Sequence, residues 1–431
     1  MTDGRVMNRW LVVVGAILIQ LCLGAIYAWS VFTPELRAEP YNFTDTQTQW
    51  VFGVGLASFA IVMIIAGRIQ AKFPPRNVAI AGGIVLGLGY VAASFVGTSF
   101  VGHLICIGLI GGSGIGLAYV VPIAVGVKWF PDKKGMLTGL AVAGFGFGAL
   151  FWIQLAGPAG QLIARWGVAN VFLLYGIAFA AIVILGSTWM VNPSADWKPE
   201  GWEPPPPLPG SAASGSIDLS SSEMLRTPQF YMLWLMFLSG SMAGLMVIGC
   251  IALFGIDALR STGVDEPTAR AWAGTAMAVF FALANGLGRI GWGMISDKLG
   301  RKASLFLLFL IQGIVMLSFY QMGFHRWSLY LGSALIGFNF GGTLALFAAA
   351  TADCFGNKNV GTNYGWVFTA YGFGGVVGPV LGGHFGDVAK AAAAQAGGQI
   401  DPSPWATPFV VAGIACLAAA ALALALRTPK A

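Results

Sequence analysis

The sequence predicts an all-α membrane protein: twelve transmembrane helices arranged as two pseudo-symmetric six-helix halves. Three observations carry this. Of 431 residues, 57% are hydrophobic and only 9% are charged, against roughly 25% charged in soluble domains. Apolar windows of about twenty residues, enough to cross ~30 Å of hydrocarbon, recur twelve times along the chain. The two halves also match each other at a single offset of 226 residues.

The windows fall at 10–33, 47–69, 77–96, 100–127, 136–163 and 168–191, then at 229–255, 270–295, 303–323, 327–350, 363–384 and 405–426. The first run lacks a small-residue cleavage site behind it and is expected to be a retained helix rather than a signal peptide. Residues 1–191 thus form one six-helix bundle and 229–431 the other. The stretch between them, 192–228, contains GWEPPPPLPGSAASGS and reads as a cytoplasmic linker, stiff at its prolines and loose beyond them.

Lys and Arg set the orientation. With both termini cytoplasmic, sixteen basic residues lie inside and six outside, and Arg289 alone completes the 23. This is the positive-inside bias of a multi-pass protein, as in a bacterial inner membrane. It also accounts for the net charge of +6, so nucleic acid is not a partner. The five cysteines are scattered and form no CxxC or Cys/His cluster, so no disulfide framework, metal or cofactor is expected. The expected surroundings are a lipid bilayer, a small substrate and protons, with the chain acting as a monomer.

The internal match is specific. The offset lays Leu109-Ile110-Gly111 on Leu335-Ile336-Gly337, Gly139 on Gly365, and Phe145-Gly146-Phe147-Gly148 on Tyr371-Gly372-Phe373-Gly374. Two six-helix repeats joined by a linker are how alternating-access transporters are built, with the site between the halves near the midplane.

One residue in the 270–295 window stands out. Arg289 lies eight residues in from Asp297, which should reach water, or roughly 12 Å at a helix's rise. A cation at that depth costs at least ~2.5–3.5 kcal/mol unless it meets a polar partner. No acidic residue lies comparably deep, so the counter-charge is assigned to the substrate. Asn285, four residues earlier, points the same way and can orient the arginine. The repeat supports function over scaffold, because Arg289 maps onto the apolar Met63. Snorkelling is the competing reading, and eight residues is a long reach for it.

The turn that follows, GMISDKLGRK at 293–302, resembles the loop signature G-x-x-x-D-(R/K)-x-G-R-(R/K) of the major facilitator superfamily. Asp297 and Arg301 are its gating pair by that resemblance. The first-half copy, GRIQAKFPPR at 67–76, lacks the aspartate. More narrowly, the chain resembles the oxalate/formate antiporter family, close to the monocarboxylate transporters. The shared motifs are GAIYAWSVF at 24–32, WFPDKKG at 129–135, EMLRTPQF at 223–230 and NYG at 363–365. The resemblance implies the major facilitator fold, transport of a small carboxylate, and a carboxylate-binding role for Arg289, whose planar fork suits two oxygens.

In oxalate-handling relatives a lysine is expected on the eleventh helix. Here that position is Tyr371, eight residues in from Asn363 and level with Arg289. One cation and a neutral hydroxyl suit a monoanion of the lactate or pyruvate type, because a second carboxylate would be buried without a partner. Oxalate/formate exchange is the alternative. Tyr27, Trp29, Tyr119, Phe340 and Phe368 are expected to complete an aromatic cage, each weighed against plain core packing. Asn339 and Gln154 read as bonds between helices, and His103 and His384 as interfacial.

No catalytic residue is assigned. An intramembrane enzyme would need a nucleophile–base pair or metal ligands at depth, and none is visible. The glycine-rich GGVVGPVLGG at 374–383 lacks the Lys-Ser/Thr of a phosphate loop and reads as close helix packing. Proton-coupled relatives carry an aspartate where Asn285 stands, and the acids nearest membrane depth are Asp257 and Asp353. A transported acid can bring its own proton.

Overall fold

The computed structural model describes residues 7–70, 72–130, 134–157, 159–194, 198–199, 218–356, 359–395, 397 and 399–427. All regular secondary structure among these residues is helical. We label the long helices α1 (Arg9–Arg37), α2 (Asp45–Gln70), α3 (Pro75–Ala93), α4 (100–129), α5 (Lys134–Ala156), α6 (Leu162–Ser187), α7 (Pro228–Ser261), α8 (Glu266–Leu299), α9 (Arg301–Met322), α10 (Arg326–Phe355), α11 (Val360–Gln395) and α12 (Ser403–Ala425). Among the described residues, ten are long and apolar enough to cross a membrane. The windows at 136–163 and 363–384 fall on the other two, α5 and α11. The described apolar part of α5 is only Ala143–Ala156, and α11 carries His384, Asp387 and Lys390.

Helix starts follow ordinary capping chemistry. Asn8, Thr227 and Asp265 accept from the backbone N–H two or three residues on, and α3, α7 and α8 carry proline in their first turn. The N–H donated by Thr268 holds the exposed Asp265 carboxyl below the usual carboxylate range. The predicted start of the sixth window at 168 follows Gly167, whose φ of 75° interrupts α6.

Two predicted boundaries need correction. Helix α11 runs to Gln395 rather than 384, because Asp387 and Lys390 end the apolar run without ending the helix. The linker is not structureless up to 228. Its proline-rich centre, 200–217, lies outside the described residues, but its last part forms a turn, Ser221–Met224, closed by a Ser220/Glu223 capping box. Met224 is fully buried. Asn359 and Asn363 donate to the Leu219 carbonyl, and Ser221 donates to Asn363.

Helices α1, α2 and α5 form the face that meets the second half of the chain. α2 lies along α11, α5 against α8, and the end of α1 against α7. The most apolar stretch of α7 is almost wholly buried, whereas α6 leaves Ile177 and Leu185 more than half exposed, as a lipid-facing helix would. Close approach depends on glycine where backbones touch. A Cβ at Gly341 of α10 would run into the Asn285 carbonyl of α8. Gly341→Ala is therefore expected to cost about 1–3 kcal/mol by overpacking and to lower both thermal stability and transport. Gly274→Ala, where the added Cβ meets nothing within 4 Å, should be neutral in the same assays.

Candidate functional site

The helices that carry the expected site residues are locally irregular. Tyr27 sits in a 3₁₀ stretch, Gly24–Ala28, inside α1. A π segment, Leu104–Gly111, precedes Tyr119 in α4, and another, Ala276–Phe281, precedes Asn285 in α8. Such segments shift the phase of everything beyond them and recur at functional positions.

Arg289 is 3% exposed. Its Nε donates to Asn285 Oδ1 at 3.0 Å, the i,i+4 contact that the sequence spacing implies. The guanidinium carbon lies 5.8 Å from the Phe145 ring centroid, a cation–π distance. The guanidinium also interacts with the hydroxyls of Tyr27 and Tyr119 and lies within electrostatic reach of Tyr364 and Tyr371. Across the seam, the Tyr27 and Tyr371 hydroxyls share a hydrogen bond of 2.7 Å. Phe340 lies 5.9 Å from Tyr27, and Phe368 stacks on Tyr371 at 4.7 Å. The seven residues Tyr27, Tyr119, Asn285, Arg289, Phe340, Phe368 and Tyr371 thus form one buried cluster fed by α1, α4, α8, α10 and α11.

Chemically, the cluster offers one guanidinium, several neutral hydroxyls and an amide in an aromatic shell. Electrostatics in such a site act in a low local dielectric. It can take one carboxylate with charge assistance and hold an apolar remainder against rings.

Sequence reasoning missed some members and misplaced others. Phe59 of α2 touches Tyr119, Phe368, Tyr371 and Phe145 at centroid distances of 5.0, 5.5, 5.9 and 6.2 Å. The repeat offset would have pointed to it, since Phe59 lies 226 residues before Asn285. Trp29 does not join the cage. Its indole donates to the Thr48 carbonyl at 2.9 Å and its ring faces Phe172, because residues two apart on a helix look opposite ways. Asn339 accepts from Trp292 at 3.1 Å, a bond between helices as expected. His103, near the start of α4, is buried against Tyr41, Phe43 and Phe172. Asp257 is not drawn into the cluster; it accepts from Trp405 on α12 at 3.1 Å. Asp45, at the start of α2, is fully buried.

The family model of the Major Facilitator Superfamily matches residues 12–264 and 251–431, nearly the whole chain. The chain belongs to the major facilitator superfamily. A solved crystal structure, of a bacterial homologue of the human lysosomal transporter Spinster in an inward-facing, unoccupied conformation, matches with a TM-score of 0.69. That match covers 98% of this chain and 97% of the other at 15% identity, and it supports the fold alone. The oxalate:formate antiporter of Oxalobacter formigenes is 26% identical over 98% of this chain and 92% of its own. The apicoplast pyruvate carrier 1 of Toxoplasma gondii is 24% identical over 84% and 81%. Superfamily members are membrane transporters, and these relatives handle small organic anions.

The superfamily turn can now be read in place. Gly300, at a φ of 81°, ends α8. Arg301 donates to Asp353 of α10 at 3.1 Å, to Asp297 at 3.1 Å and to Ser296 at 2.6 Å. The turn thereby ties α8, α9 and α10 together at one end of the bundle. Asp297 is largely exposed there, so its single ion pair contributes little to stability.

Proposed function

We propose that this chain is a secondary active transporter of small monocarboxylates, of the lactate or pyruvate type. It works by alternating access of two six-helix halves, 1–191 and 229–431, with twelve crossings and both termini cytoplasmic in a bacterial inner membrane. It has no enzymatic step. The observation that carries the substrate reading is the buried guanidinium of Arg289, set among tyrosine hydroxyls where oxalate-handling relatives are expected to add a lysine. Arg289 takes the carboxylate, Asn285 fixes the arginine's rotamer, and Tyr27, Tyr119 and Tyr371 supply hydroxyl donors. Phe340 and Phe368 enclose the apolar end. Asp297 and Arg301 gate the end where α8 turns into α9, while Asp257 serves the opposite end.

Two features support alternating access in particular. The cluster draws side chains from both halves, and the Tyr27–Tyr371 hydrogen bond crosses the seam between them. A carboxylate that competes for those hydroxyls links binding to the separation of the halves. With asparagine rather than aspartate beside Arg289, the cluster offers a co-transported proton no carboxylate carrier of its own.

The oxalate:formate antiporter similarity over nearly the full chain favours a second reading, dicarboxylate/monocarboxylate exchange. Proteoliposomes loaded with purified protein separate the two. Labelled lactate uptake should rise with an inward proton gradient and resist competition by oxalate. Displacement of lactate by oxalate with equal or better affinity would favour the exchanger.

A further inference from the structure

At the end of the bundle opposite the chain's N-terminus, α2 and α11 meet through an unusual cap. Asp387 Oδ1 accepts from the Asp45 N–H at 2.6 Å, and Oδ2 accepts from the Thr46 N–H at 2.9 Å. Helix α2 already caps itself. The Gln47 N–H donates to Thr44 Oγ1 and the Thr44 N–H to Gln47 Oε1, a reciprocal box, and the Thr48 N–H reaches the Thr44 carbonyl. Its own residues thus satisfy part of the first turn, and a carboxylate more than 340 positions away satisfies the rest. Glycine makes room for this. A Cβ at Gly383, one turn before Asp387, would lie 2.8 Å from the Asp45 carbonyl. The surrounding charges complete the seam: Arg37 pairs with the buried Asp45 at 2.7 Å, Arg270 with Glu35 at 3.3 Å, and Asp257 bonds Trp405.

We propose that Asp387 is a conformational latch: it caps α2 from the other half and holds this end shut until the halves separate. The proposal rests on the alternating-access reading but not on the identity of the substrate. Two charge-assisted hydrogen bonds, aided by the positive end of the helix, form only when α11 lies against α2. The self-capping box lets α2 stay folded after release, so opening exchanges two N–H donors to water and nothing more of the helix.

Spin labels at Thr98→Cys and His325→Cys, both exposed in loops at this end, read the separation of the halves in the full chain without any substrate. The native cysteines are all buried. In Asp387→Asn the ratio of short to long distances should fall about tenfold relative to the unmodified protein. Hydrogen exchange gives a second, local reading. The Asp45 and Thr46 amides should exchange about tenfold faster in the variant, while the Gln47 amide, held by Thr44, keeps its rate. An unchanged distance distribution in folded Asp387→Asn would overturn the latch. So would faster exchange spread evenly over Asp45, Thr46 and Gln47, because that marks general loosening. A shift in distances with no carboxylate transport would leave the latch standing and remove only the substrate assignment.

Discussion

Replacing Arg289 by lysine should reduce carboxylate uptake about a hundredfold in protein that still inserts. Lysine keeps the charge and fits the helix, but it presents a point charge where arginine presents a planar fork. It would also lose the Nε contact to Asn285 and the flat approach to Phe145. Charged hydrogen bonds contribute about 1.5–3 kcal/mol each, and 1.4 kcal/mol is a factor of ten, so breaking the two-bond fork outweighs any packing cost. Arg289→Gln removes the charge as well and should abolish uptake. Normal transport in that variant would make the arginine a structural residue. The same assay on Asn285→Ala should show a smaller loss, about tenfold, since the cation remains and only its orientation is freed.

Tyr371→Lys should turn the preference towards a dianion. In the unmodified site a second carboxylate would lose hydration without meeting a second cation, at a cost of several kcal/mol. A lysine in place of Tyr371 supplies that cation from α11, beside the Arg289 guanidinium. Repulsion between the two cations favours the neutral amine in the empty site, so oxalate must bind and restore the charge together. The expected result is at least a tenfold fall in the oxalate concentration that halves lactate uptake, with slower lactate transport overall. Tyr371→Phe separates ring from hydroxyl. It keeps the stack on Phe368 and deletes the bond to Tyr27, and should cost only about 1 kcal/mol.

How much of this was legible from the residues depends on the range of the interaction. The Arg289–Asn285 contact was, because i,i+4 spacing on a helix dictates it. The helices were, because a bilayer demands long apolar runs. The Tyr27–Tyr371 bond was not, since nothing local to either residue specifies a partner 344 positions away. Trp29 was placed wrongly because helix phase was ignored: it cannot share a face with Tyr27. The far end of α11 was missed because hydropathy reports apolar length rather than helix length. The segment beyond 384 is alanine-rich and stays helical while turning polar. That oversight hid Asp387, and with it the cap on α2. Asp45 was hidden for a related reason, because a carboxylate at a helix start reads as solvent-exposed until the helix packed over it is known.

The central claim is that Arg289 binds one carboxylate in a closed aromatic site. Equilibrium binding of labelled lactate to purified protein tests it most directly, with oxalate as competitor and Arg289→Gln as the control. Saturable lactate binding that is lost in the variant, with at least tenfold weaker binding of oxalate, is the predicted result. Lactate binding that survives Arg289→Gln would contradict it.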